Sequence, residues 1–92
     1  MDSNNKFYFV YIIQCSDKKK TYYTGFTTNI DNRIENHNSG KGAKYTHGRG
    51  PVKLVYLEEW FDISSALIRE CQIKKLTRKQ KEVLIKDYIF IV

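Results

Sequence analysis

The sequence predicts an α+β fold: a three-stranded antiparallel sheet flanked by helices, in the order β-β-α-β-α-α. Three observations carry this. Residues 7–14 and 21–27 are dense in aromatic and β-branched side chains and are separated by a short charged stretch, so they read as a hairpin. Residues 53–60 set Leu54, Tyr56 and Glu58 in alternation with Val55, Leu57 and Glu59, the period of a third strand. Helix-start signals stand after the second and third strands. Three strands cannot close a barrel, so helices must cover the sheet.

Taken in order, residues 1–5 form a polar start, and 15–20, with Lys18, Lys19 and Lys20, make the hairpin turn. Asn29 is suited to cap a helix, with Asp31 favourable in its first turn. That helix runs to His37 or Asn38, and Ser39-Gly40-Lys41-Gly42 ends it. Residues 43–52 read as a loop holding the chain's one proline, Pro51. A second helix is expected from Ser64 to Lys75. Thr77 with Gln80 makes a capping-box pattern for a third, with Leu76, Val83 and Leu84 inward. The tail 88–92 fits either a continued helix or an edge strand.

The chain has 92 residues, the length of one compact domain, which is expected to span 1–92 with its core over about 7–85. Sixteen basic against ten acidic side chains leave a net charge of +6, which suits a polyanion such as nucleic acid, or an acidic membrane surface as second choice. The apolar run 7–13 is too short for a membrane span or a signal core. Two cysteines, Cys15 and Cys71, stand far apart, so free thiols and a cytoplasmic, reducing compartment are expected. The spacing of Cys15, His37, His47 and Cys71 matches no zinc pattern.

Several residues carry chemistry. Arg33 and His37 are four apart, on one helix face beside the Ile30–Ile34 core stripe. Most such pairs are ordinary surface. Tyr11 groups with Phe9 and Ile13 on one strand face, and Tyr23 with Thr21 and Gly25 on another. Tyrosines in a small β-containing domain mostly pack, and there are seven here. Gly25 leaves room for a backbone or a phosphate to approach. Glu70 shares a helix face with Ala66, Leu67 and Ile73, and an acid there needs a partner. Two readings stand equal: an ion pair with Arg33, Arg69 or Lys74, or a metal ligand.

Phe9-Val10-Tyr11, Tyr23-Thr24-Gly25, Arg33, His37, the run KGAKYT, RGP and Glu70, in that order, together resemble the GIY-YIG nuclease domain. The first two tripeptides stand where that family has Gly-Ile-Tyr and Tyr-Ile-Gly. The resemblance runs from about Phe7 to Ile85. It is similar to the small stand-alone subfamily and to the catalytic subunit of the eukaryotic structure-selective endonuclease. Two departures are visible. Phe26 and Thr27 follow Gly25 where many members have a Lys, and no Asn occurs after Asn38.

The resemblance implies a divalent-metal-dependent DNA endonuclease that acts on branched, flapped or single-stranded DNA rather than on a sequence, with a place in DNA repair. It implies that Tyr11 and Tyr23 line the catalytic surface and that one activates the attacking water. Related restriction enzymes favour the first and the repair-incision relative the second, and the larger effect is expected from Tyr11. Arg33 would bind the scissile phosphate, His37 would relay a proton, and Glu70 would ligate Mg2+ or Mn2+. Around this site Lys41, Lys44, Tyr45, Arg49, Lys74, Lys75, Arg78 and Lys79 are expected to contact nucleic acid, their plainer reading being solvated surface. The alternative function is a catalytically weak module that binds DNA or RNA and works with a partner protein or a second copy of itself.

Overall fold

A computed structural model describes residues 7–40 and 48–88. Its elements are β1 (Tyr8–Cys15), β2 (Tyr22–Thr27), α1 (Ile30–Asn38), β3 (Val52–Trp60), α2 (Ile63–Lys74) and α3 (Arg78–Lys86). The order β-β-α-β-α-α and the antiparallel three-stranded sheet are those read from the sequence. The strand order is β2-β1-β3, with β1 antiparallel to both neighbours.

The central place of β1 explains its composition. Val10, Tyr11, Ile12 and Ile13 are all fully buried, because helices cover both faces of the strand. Val10 and Ile12 pack with Tyr56, Ala66 and Ile73 on the side of α2 and α3. Tyr11 and Ile13 pack with Cys15, Val52, Ile30 and Ile34 on the side of α1.

The hairpin turn is fastened by Asp17. Its carboxylate accepts from the Thr21 backbone N–H at 2.8 Å and from the Thr21 hydroxyl at 2.5 Å, and Arg49 donates to it at 3.0 Å. Asn29 caps α1 by accepting from the Asn32 N–H at 3.1 Å. At the other end of α1, Gly40 takes a φ of 84°, and Asn38 accepts from the Val52 N–H at 2.6 Å, tying the helix to the start of β3.

Three expectations are corrected by packing. Strict alternation in β3 fails because the pairing jumps from Ile12↔Tyr56 to Ile13↔Leu54, leaving Val55 as an extra residue. That bulge puts Leu54 and Leu57 on the α1 side and Val55 and Tyr56 on the other. Helix α2 begins at Ile63, since Asp62 caps it by accepting from the Ser65 N–H at 2.8 Å. The inner face of α3 is Leu84 and Ile85, while Val83 is exposed. The capping box is formed: Thr77 and Gln80 exchange side-chain-to-backbone bonds of 2.9 and 3.2 Å. Of the tail, residues 89–92 lie outside the described residues.

Candidate active site

The site starts from strand register. Tyr11 lies opposite Gly25 in the β1–β2 ladder. A methyl group on Gly25 would collide with the Tyr11 ring and hydroxyl. The glycine therefore makes room for the tyrosine ring, where the sequence suggests room for a backbone or a phosphate. Tyr11 has no exposed surface, and its hydroxyl is 3.2 Å from His37 Nε2, a buried hydrogen bond between β1 and α1. Tyr23 comes from β2 to the same imidazole, edge to face, with centroids 5.4 Å apart. His37 is 4 % exposed, whereas Tyr23 is half-buried.

Arg33, one turn before His37 on α1, completes this group. Burial pushes the Tyr11 phenol up to about 12, and the Arg33 charge and hydrogen bond oppose that rise. The charges that Tyr23 and Glu70 can carry add to it, so α2 sends its carboxylate within electrostatic reach of Tyr11. His37 is held below its ordinary value by burial and then by the Arg33 charge. It is therefore a neutral imidazole near pH 7, able to accept a proton. In the tautomer with its proton on Nε2 the ring donates to Tyr11 and Nδ1 stays open to accept; in the other, Tyr11 donates to Nε2.

Glu70 is a flank residue of α2. Ala66 and Ile73 are its buried neighbours, but Leu67 is 45 % exposed, so the expected apolar surround is one-sided. The Glu70 carboxylate pairs with Lys74 at 3.1 Å, one of the three ion-pair partners foreseen. Arg69 turns to Glu58, at 2.9 Å. Glu58 also accepts from the Trp60 indole at 2.9 Å and from the Tyr56 hydroxyl, an arrangement no sequence motif announces.

A hard divalent ion suits Glu70. The Lys74 ammonium already occupies the cation position at a part-exposed carboxylate, and one protein carboxylate with water ligands is the manner of Mg2+. Among the described residues no cluster of three or more His, Cys, Asp or Glu exists, so Glu70 would act with waters rather than in a cage.

The expected nucleic-acid residues divide. Lys41, Lys44 and Tyr45 lie outside the described residues. Arg49 is bound to Asp17, Lys74 to Glu70, and Arg78 to Glu82 at 3.2 Å while lying 4.4 Å over the Tyr22 ring. Lys75 and Lys79 are exposed. The cysteines are free thiols, Cys15 buried and Cys71 exposed. No helix among the described residues is long and apolar enough to cross a membrane.

The family model for the GIY-YIG catalytic domain matches residues 7–83. The chain belongs to the GIY-YIG family. Similar proteins include a UPF0213 protein of Syntrophus aciditrophicus, 58% identical over 80 residues, covering 86% of this chain and 90% of the relative. The UPF0213 protein YazA of Bacillus subtilis is 41% identical over 87 residues, covering 95% of this chain and 84% of that one. Among solved structures, the UPF0213 protein BH0048 of Bacillus halodurans has a TM-score of 0.56 at 45% identity, covering 87% of this chain and 83% of that one. The E. faecalis protein EF2693 has a TM-score of 0.62 at 37% identity, covering 97% of each chain. GIY-YIG membership implies endonuclease chemistry and contact with nucleic acid.

Proposed function

We propose that this GIY-YIG chain is a divalent-metal-dependent DNA endonuclease, directed at branched, flapped or single-stranded DNA rather than at a sequence. Its place would be in DNA repair in the cytoplasm. The observation that carries the reading is the buried Tyr11–His37 hydrogen bond, with Tyr23 and Arg33 at the same imidazole. Residues about 7–85 act as one nuclease domain.

In this reading Arg33 holds the phosphate through a charge that does not titrate near neutrality. A buried phenol near 12 is a poor base on its own. Tyr23 therefore takes the attacking water's proton as its own hydroxyl proton passes to the neutral His37 imidazole. Tyr23 is the member that meets solvent, and Tyr11 fixes the imidazole. This reverses the expected ranking of the two tyrosines, because strand β1 is central and covered. Mg2+ or Mn2+ bound at Glu70 would neutralise charge gathering on the phosphate. Glu70 must then exchange its Lys74 partner for the ion.

That ion pair favours a second reading, a nucleic-acid-binding module of weak activity that needs a partner protein or a second copy to open the site. The deciding experiment incubates the protein with labelled single-stranded, duplex, flapped and branched DNA, and with RNA, in Mg2+, Mn2+ or EDTA. Cleavage of DNA that EDTA abolishes is expected. Binding without cleavage in either metal would leave the second reading in place.

A further inference from the structure

Beyond the catalytic residues, the exposed edge of β2 faces α2 and α3 across a basic groove. Tyr22, Tyr23, Thr24, Lys74 and Lys81 line a cavity of about 230 Å³. Tyr22 and Lys81 also line a second cavity of about 270 Å³, which reaches Lys19 and Arg78. Lys81 thus stands where the two meet, and Tyr23 joins the first to the catalytic group.

Two features of this groove are left without a partner. Lys81 is partly buried and makes no ion pair with any described residue, whereas its neighbours Lys74 and Arg78 are each bound to a glutamate. Burial and then the Lys74 charge hold the Lys81 ammonium below its ordinary range, so the fold places this cation at a cost. Thr24 is 3 % exposed, and its hydroxyl has no hydrogen-bond partner among the described residues, which is uncommon for a buried hydroxyl. An ammonium without an anion lines this small cavity, and Thr24 lines it too, with its partnerless hydroxyl sealed from solvent. A phosphate oxygen in the cavity satisfies the ammonium directly, and the hydroxyl once the Thr24 side chain turns toward it.

We propose that Lys81 and Thr24 hold a backbone phosphate of the nucleic-acid substrate, one that is not cut, so that the strand leaves the catalytic surface along the β2 edge past Tyr22. This rests on the nuclease reading for the direction of the strand. The plainer account is that the Lys81 stem covers the Tyr22 ring and its ammonium meets water.

Binding is measured by fluorescence anisotropy in EDTA, with a labelled single-stranded oligonucleotide and a duplex of the same sequence, over a range of salt. Lys81→Gln is expected to reduce the log–log salt slope by about 0.7 on the single strand, or about 0.9 if the phosphate belongs to duplex. Lys81→Arg should keep the slope. Thr24→Val should weaken binding with the slope unchanged, since it removes a hydrogen bond and no charge. Wild-type slope and affinity for Lys81→Gln on both nucleic acids would overturn the subsite. Amide shifts of the wild-type protein on titration with the single strand give a check that needs no variant. Perturbation at Thr24 and Lys81 is expected, and perturbation confined to α1 would overturn the proposal. Cleavage is read separately: an unchanged slope with cleavage intact ends the subsite alone, and absent cleavage with a reduced slope ends the nuclease reading alone.

Discussion

Tyr11 and Tyr23 differ by environment rather than by chemistry. Each offers one phenol, but Tyr11 is sealed between β1 and α1 while Tyr23 reaches a cavity at the β2 edge. Tyr23→Phe is therefore expected to slow single-turnover cleavage by about 10²-fold or more, within the usual range for a general base. Tyr11→Phe should cost less in rate and about 1 kcal/mol in stability, because it removes the hydrogen bond to His37. Equal rates for Tyr23→Phe and wild type would remove Tyr23 from proton transfer. His37 should set the acid side of the pH–rate profile. Its value is held below the ordinary 6.5, so rate should fall as pH drops through that lower value and imidazolium forms. His37→Ala should erase that limb; a profile that keeps it places the titration elsewhere. The Arg33–His37 pair is legible from a spacing of four. The role of Gly25 is not, because it depends on which residue of another strand lies opposite. Gly25→Ala should cost about 1–3 kcal/mol in thermal or urea unfolding, the usual range for overpacking a filled site.

At the level of elements, side-chain caps decide where each piece begins. Asn29 and Thr77 announce α1 and α3, since each carries its signal within three residues. Asp62 and Ser64 stand two residues apart and either can serve at a helix start, so the sequence does not separate them, and α2 begins at Ile63, one residue before the expected Ser64. The β3 bulge cannot be read at all: Val55 and its neighbours are apolar on both sides, and which of them slips depends on pairing with Ile12 and Ile13. The β1–β2 turn offers a sharp test. Thr21 hydrogen bonds, with Arg49 assisting, hold Asp17 down at about 2 against an ordinary 3.8. A folded value below the unfolded one means stability that is present above about pH 4 and is lost as pH falls through 2. Asp17→Asn should lower the melting temperature at pH 7 and flatten the acid limb of stability between those values. An unaltered acid limb in the mutant would assign it to other carboxylates.

For the whole molecule, the net charge is +6, and Lys19, Lys74, Arg78 and Lys81 are among the basic residues that line the cavities between the β2 edge and α3. Charge counting points to nucleic acid, but it ranks Lys81 no higher than its neighbours, because its burial arises only once α3 packs beside β2. Lys74, Lys75, Arg78 and Lys79 changed together to Gln should flatten the salt dependence of DNA binding by about 0.7–0.9 for each phosphate no longer neutralised, without unfolding the chain. An unchanged slope would move the binding surface off α2 and α3. Glu70 ties this surface to the catalytic group, since it pairs with Lys74 on one side and its charge reaches Tyr11 on the other. The most direct measurement is single-turnover cleavage of labelled flapped and single-stranded DNA by wild type and Glu70→Gln, in Mg2+ or Mn2+ against EDTA, with binding measured alongside. Metal-dependent cleavage by wild type is predicted, with its loss and retained DNA binding in a folded Glu70→Gln protein. Full metal-dependent cleavage by that variant would contradict Glu70 as the ligand and leave it as the ion-pair partner of Lys74.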